Sequence, residues 1–347
     1  MVDAVVVIDC GSEQVKAGLA GQDAPQVVFP SQVGRRRAPG TSDGVVVVGE
    51  QARAMAAGTG QVSQPLLDGK VVHWDDYIKL YRHALLPWPD AAASGGVLMV
   101  QHRDRISEQG RCRIVVARQQ GAARVAVVDA AVAAAAAVGR TTALVVDIGA
   151  AGTRVSAVHR GRPVGPVARS AIGGRDITNH LLHRLTQRGY TFTGRAERGL
   201  VQVIKERLCF VALDYDDARK RAEDTSAIEE TCELPDGRVA SVGVERFACP
   251  DRLFRPEDWG LEVPGLPAMV QQVVDAADSG IRADLFAGVV LTGGTALLPG
   301  LSERLAKELR ALSRGAPVEV VTPTEPGHRA WSGASILAAA GAVPWNL

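Results

Sequence analysis

Three segments of the chain share one pattern, an unbroken apolar and largely β-branched run that stops at a glycine turn. They are Val5-Val6-Val7-Ile8-Asp9-Cys10-Gly11, Leu144-Val145-Val146-Asp147-Ile148-Gly149 and Val289-Val290-Leu291-Thr292-Gly293-Gly294. Runs without polar alternation predict strands covered on both faces. The first two also carry an aspartate at the strand end and a glycine two residues later, once near the start and again before the middle. That recurrence points to a duplicated α/β unit.

Helical spacing fills the intervals. Trp74 to Leu86 opens with Asp75-Asp76, favourable at the positive end of a helix dipole, and keeps Tyr77, Tyr81, Ala84 and Leu85 in helical register. Glu197 to Leu213 predicts a second helix, with Leu200, Val203, Ile204, Leu208 and Val211 in one stripe and Lys205 and Glu206 at its margin. A third begins at Ser302 as N-cap, runs through Leu305, Leu309 and Leu312, and stops near Gly315. Ala38 to Gly44, Gly58 to Gln64, Pro87 to Gly96 and Arg255 to Pro267 read as loops, none of them long or biased enough to be a disordered linker.

A length of 347 residues exceeds what one core normally serves, so two domains are expected. With 46% hydrophobic and 22% charged residues the composition is that of an ordinary globular protein. A net charge of +1 argues against a nucleic-acid partner, which needs a clustered basic face. Arg35-Arg36-Arg37 is too short for one and reads as a solvated loop. The most apolar stretch, Val125 to Val138, is broken by Asp129 and falls short of the roughly 20 residues that span a bilayer. No basic region precedes Val5–Ile8, so these residues read as a strand and a cytoplasmic location is expected. Cys10, Cys112, Cys209, Cys232 and Cys249 form no CxxC pair and are expected as reduced thiols. An excess of arginine over lysine, with abundant alanine, points to a GC-rich bacterial source.

A glycine turn after a strand exposes backbone N–H groups and permits the close approach a phosphate needs. Gly11-Ser12 supplies such donors, and Lys16 can reach back as a point charge. Gly149-Ala150-Ala151-Gly152-Thr153 repeats the arrangement. Asp9 and Asp147 are then expected to face each other across a cleft and to hold magnesium mainly through its waters. A single Asp-x-Gly is more often a plain turn. The three together point to a nucleoside triphosphate bound with its metal ion between two similar halves. Neither GxxxxGK[ST] nor GxGxxG is present, so the commonest nucleotide fingerprints are absent.

Longer motifs are specific. They include Lys16-Ala17-Gly18-Leu19-Ala20-Gly21-Gln22-Asp23-Ala24-Pro25, Val28-Phe29-Pro30-Ser31, Trp74-Asp75-Asp76, Gly139-Arg140-Thr141-Thr142 and Gly174-Arg175-Asp176. Ile204-Lys205-Glu206-Arg207-Leu208-Cys209, Leu234-Pro235-Asp236-Gly237 and Thr292-Gly293-Gly294-Thr295 complete the set. With them the chain resembles actin and the actin-related proteins over nearly its whole length. The resemblance implies an α/β actin-like ATPase fold: two duplicated RNase H-like domains around a nucleotide cleft, each with a smaller subdomain. Residues 1–130 plus 328–347 would form domain I, with a small subdomain at about 33–69. Residues 131–327 would form domain II, with a small subdomain at about 173–262.

The resemblance further implies ATP or ADP with magnesium or calcium. Asp9 and Asp147 would serve the metal. Gly11, Ser12, Glu13, Gln14 and Lys16 would form the first phosphate loop, and Gly149, Ala150 and Ala151 the second, with Gly174 beside it. Lys205 and Glu206 would meet base and ribose; Gly293, Gly294, Thr295 and Leu297 would close over α-phosphate and adenine. Asp147 and Asp129 are the catalytic candidates. Asp129, in the region Val128–Ala130 that replaces the family's catalytic glutamine, either orients a water or caps a helix. The expected partner is the protein itself in a head-to-tail filament, with slow ATP hydrolysis and regulators unspecified. The alternative is a monomeric, non-hydrolysing nucleotide-binding module that acts through partners.

Departures from the family set further expectations. Glu13 replaces a glycine, which predicts weakened binding, and Ala150 replaces an aspartate that organises attacking water, which predicts slow hydrolysis. Ala151 replaces a glycine, and Gly327 replaces the lysine that packs beside adenine. The stretch Ala38–Gly44 replaces the DNase-binding loop, and Asp68 stands at the methylated-histidine position. The chain stops at Leu347 without the family's C-terminal helices, which predicts an incomplete groove for actin regulators. Trp259, in the loop Phe254 to Leu266 that matches the family's apolar plug, either meets a partner or packs on its own domain.

Overall fold

The computed structural model describes residues 4–37, 44–55, 60–67, 70–192, 195–233, 237, 239–322, 325–343 and 345. Asp68, Leu234-Pro235-Asp236 and the stretch Ala38 to Asp43 lie outside these. The chain divides into unit 1 (Met1–Val145, Ser156–Val164, Gly327–Leu347) and unit 2 (Val146–Val155, Gly165–Pro326).

In unit 1 the first apolar run becomes β1 (Val6–Cys10), which turns into β2 (Gln14–Leu19) and then β3 (Val27–Pro30). A small sheet follows, of β4 (Val33–Arg37), β5 (Gly44–Val48) and β6 (Gln61–Ser63), then the short pair β7 (Leu66–Leu67) and β8 (Lys70–Val71). With β9 (Val97–Gln101) and β10 (Val125–Asp129), the main sheet has the order β10-β9-β1-β2-β3. β1 runs antiparallel to β2 and parallel to β9, and β9 runs parallel to β10.

The unbroken apolar runs are explained by two covered faces. Val6, Ile8 and Met99 pack with Tyr77, Leu80 and Tyr81 of the helix Trp74–Leu85. Val5, Val7, Leu98 and Val100 point the other way, onto Ala133, Trp331 and Ala334. Trp331 is fully buried, and its indole N–H donates to the Val7 carbonyl at 2.9 Å. A side chain at Gly18 would come within 2.8 Å of that indole.

The second sheet has strands β11 (Ala143–Ile148), β12 (Thr153–His159) and β13 (Arg162–Ser170). After the hairpin of β14 (Glu230–Glu233) and β15 (Val239–Val242) come β16 (Val289–Thr292) and β17 (Val320–Val321). Its order, β13-β12-β11-β16-β17, matches that of the first sheet: three strands in sequence, then two added beside the first. The duplication read from the strand-end motif is present in the topology.

Several local expectations are corrected. The second predicted helix spans Arg195–Leu208 and does not continue to Leu213. Phe210 and Val211 turn their N–H groups to the carbonyls of Arg246 and Pro299, contacts that helical pattern cannot foresee. Pro87–Gly96 holds the helix Pro89–Ser94, with proline in its first turn where a missing N–H costs nothing. Gly58–Gln64 contains β6, and Arg255–Pro267 holds the 3-10 turn Pro256–Trp259 and the start of the helix Leu266–Asp275. The third helix spans Leu301–Leu312 with Gly300 as N-cap, and Ser302 instead donates to the Glu303 carboxylate at 2.8 Å. Gly300 has φ 79°, and a Cβ there would overlap the Val211 carbonyl oxygen.

Arg35-Arg36-Arg37 belongs to β4 and not to a loop. Arg35 grips Asp76 through both guanidinium nitrogens, and Ser63 and Lys79 donate to the same carboxylate at 2.6 and 2.9 Å. Burial pushes the Asp76 pKa up, but these donors outweigh it and hold the group well below the usual carboxylate range. A depressed pKa stabilises the fold fully above the unfolded-state value of about 3.9, and that stability is lost as pH falls toward the folded value. Asp76→Asn should therefore cost about 1–3 kcal/mol at neutral pH, with the gap to wild type closing below about pH 4. Urea unfolding across pH 2–7 checks it; a gap independent of pH would refute the assignment.

Candidate functional site

In unit 1 the hairpin of β1 and β2 closes when the Gly11 N–H donates to the Gln14 carbonyl at 3.0 Å. Ser31 braces the turn from β3's end: its hydroxyl donates to the Gly11 carbonyl at 2.6 Å and its N–H to the Glu13 carbonyl at 2.9 Å. Behind the turn, Asp9 and Lys16 are cross-strand partners, with Nζ 3.4 Å from Oδ2 and the side chains 18% and 12% exposed. Ser12 and Glu13 are half-buried, and Gln14 is exposed.

Asp9 faces Val100, and Asp129 faces Gln101, so the carboxyl ends of β1, β9 and β10 lie side by side. Such strand ends are where open α/β sheets take ligands. Asp129 is the N-cap of the helix Ala130–Ala136: Oδ1 accepts the N–H groups of Ala131 and Val132, and Oδ2 accepts that of Arg103 at 2.9 Å. Of its two sequence readings, the cap is the one whose hydrogen bonds are formed.

Unit 2 repeats the closure, with the Gly149 N–H donating to the Gly152 carbonyl at 3.0 Å. Three distant segments converge on this turn. The Gly149 carbonyl accepts the Gly174 N–H at 2.9 Å and the Thr295 hydroxyl at 3.3 Å, and the Ala150 carbonyl accepts the Arg175 N–H at 2.8 Å. Lys205 is 7% exposed and donates to the Gly174 carbonyl at 3.1 Å, so it is no surface cation. A Cβ at Gly174 would lie 2.6 Å from the Thr295 hydroxyl, and one at Gly173 would overlap the Gly152 nitrogen. Gly293, at φ 88°, sits where a side chain would meet the Ile148 carbonyl and the Asp147 carboxylate.

Thus Asp147, Gly149, Ala150, Gly174, Lys205, Gly293 and Thr295 are gathered in unit 2. Gly294 borders open space and Ala151 is half-buried. Glu206 is exposed and accepts from the Gln202 amide at 2.9 Å, and Leu297 is 62% exposed. Ser31 and Gly173 complete the two turns and are not among the expected site residues, whereas Gly152 belongs to the turn Gly149–Thr153 read from the sequence. The doublet Gly173-Gly174 ahead of a polar helix was the signal for one of them.

Trp259 packs on its own unit, its ring 5.1 Å from that of His180 and 6.5 Å from that of Tyr215. Burial and the charge of Arg252 push His180 down to about 4, which keeps its ring neutral there. All five cysteines are free and buried.

The family model of actin matches residues 2–345. The chain belongs to the actin family. It is accordingly an actin-like, nucleotide-binding protein; actin-fold proteins generally bind nucleotide with a divalent cation, and membership of the family suggests self-association. Each unit by itself holds groups that suit such a ligand: unit 1 a glycine turn with an Asp–Lys pair behind it, and unit 2 a glycine turn with a buried lysine beside it. Among the described residues no group of three or more His, Cys, Asp or Glu side chains could hold a metal ion by itself. A hard cation held by one or two carboxylates, water and phosphate needs no such group. Among the described residues no helix is long and apolar enough to cross a membrane.

Proposed function

We propose that this actin-family protein binds ATP with magnesium and polymerises head to tail under nucleotide control, as a cytoplasmic, bacterial-type filament protein with slow ATP hydrolysis. The observation that supports this best is the repeated turn, closed by the same backbone hydrogen bond at Gly11 and Gly149 after a strand whose penultimate residue is aspartate. In this reading Ser12, Glu13, Gln14 and Ala151 offer backbone N–H groups to phosphate, and Lys16 offers charge. Asp9 and Asp147 orient the cation through water. Lys205 and Glu206 meet base and ribose, and Gly294, Thr295 and Leu297 line the adenine side. A heterologous contact that does not close propagates as a filament.

Slow hydrolysis follows from what the turns lack. Ala150 and Ala151 present no carboxylate, and Asp129 already accepts three backbone N–H groups. Phosphoryl transfer depends on an oriented water, so its loss costs rate before it costs affinity. The same observations favour a second reading, a monomer that holds nucleotide without hydrolysing it. Sedimentation and phosphate release in ATP plus magnesium separate the two. The filament reading expects a nucleotide-dependent pellet with slow phosphate release. Monomer at high concentration, tight nucleotide retention and background phosphate release would establish the second reading instead.

A further inference from the structure

The two hairpins close on the same backbone hydrogen bond, and pairing continued from it would place a second cation beside the second aspartate. In the first, closure from Gly11 to Gln14 sets Cys10 opposite Val15 and Asp9 opposite Lys16. In the second, the equivalent bond runs from Gly149 to Gly152. Antiparallel pairing continued from that bond sets Ile148 opposite Thr153 and Asp147 opposite Arg154. Burial agrees: Lys16 is a half-buried residue between buried Val15 and Ala17, and Arg154 is a half-buried residue between buried Thr153 and Val155. Directly opposed residues share a face of the sheet, so Arg154 shares the face of Asp147, whose carboxylate borders Gly293.

We infer that Arg154 is the second unit's equivalent of Lys16, a guanidinium that binds the phosphate chain and makes the site prefer a nucleoside triphosphate to a diphosphate. This rests on the nucleotide-binding reading above. A guanidinium offers planar, paired N–H donors matched to phosphate oxygens, and it keeps its charge throughout the working pH range. Each added phosphate brings more negative charge for it to meet, so its contribution grows with chain length. Lysine in one unit and arginine in the other give the turns the same sign of charge with different donor geometry.

The test is calorimetric titration of the full chain with ATP and with ADP, each with magnesium, for wild type, Arg154→Ala, Arg154→Gln and Arg154→Lys. Melting without nucleotide identifies any variant that fails to fold, and the glutamine variant, which keeps the polar stem, covers that event for alanine. Removing the guanidinium should weaken ATP at least about tenfold and ADP less than about threefold, with lysine restoring part of the difference. A merely structural ion pair with Asp147 would lower both affinities together, and an ATP-to-ADP affinity ratio unchanged from wild type would overturn the inference. If wild type itself bound neither nucleotide, the nucleotide-binding reading would fall first and this inference with it.

Discussion

Alanine at Gly333 should destabilise the protein by about 2–3 kcal/mol, while alanine at Gly199, also inside a helix, should stabilise it by up to about 1 kcal/mol. Propensity alone favours alanine at both sites, because glycine loses more backbone freedom on helix formation. Their surroundings differ. A Cβ at Gly333, in the helix Arg329–Ala339, would overlap the Ala133 carbonyl and come within 3.0 Å of the Ala137 nitrogen. These atoms are backbone of the alanine-rich helix Ala130–Ala136 and its cap, so no rotamer can relieve the clash. The helices must move apart, and with them the Trp331 packing that covers one face of the unit 1 sheet. Gly199, in Arg195–Leu208, is exposed and has no heavy atom within 4 Å of its would-be Cβ. Urea midpoints of the two variants should fall on opposite sides of wild type. Equal shifts would mean the close helix contact is not formed in solution.

The second large effect is expected at Gly173, where alanine should weaken ATP binding about 100-fold or more, close to 2.7 kcal/mol. Gly173 adopts φ −153° and ψ −168°, which any residue can adopt, so the restriction is one of space. The added methyl would overlap the Gly152 nitrogen and lie 2.7 Å from the Gly149 carbonyl oxygen. It would wedge apart the turn just where the Gly149 N–H closes on Gly152 and where the Gly174 N–H docks. On the proposed function ATP should raise the melting temperature of wild type, and that rise should vanish in this variant. If the variant binds ATP as tightly as wild type, the Gly149 turn does not form part of the nucleotide site.

Parts of the site were legible because strand-end turns are local. Asp9-Cys10-Gly11 and Asp147-Ile148-Gly149 could be found from a few consecutive residues, and the structure gives both the same closure. Lys205 was legible only through the family motif, since helical spacing placed it at the margin of an apolar stripe. Its burial against the Gly174 carbonyl depends on a segment 31 positions away in sequence. Asp129 illustrates a different limit. The sequence offered a water-orienting or a capping role, and the three N–H groups that settle on its carboxylate come from two segments. Ser302 failed as a cap for a related reason: Gly300 was needed against the Val211 backbone, which moved the helix start forward.

What the sequence by itself determined is the duplicated strand-turn design, the two-sided burial of its strands and the family. Each of these is written in residue type over a short window, where periodicity and glycine placement act directly on the backbone. Only the tertiary structure decided which backbone atoms crowd Gly173, Gly293 and Gly333, and that Lys205 is buried. It also supplied the Gly149–Gly152 closure from which the opposition of Arg154 to Asp147 is inferred. Those outcomes depend on segments distant in sequence or on a pairing register, and no local pattern of apolar and polar residues encodes which atom will arrive beside a given Cα.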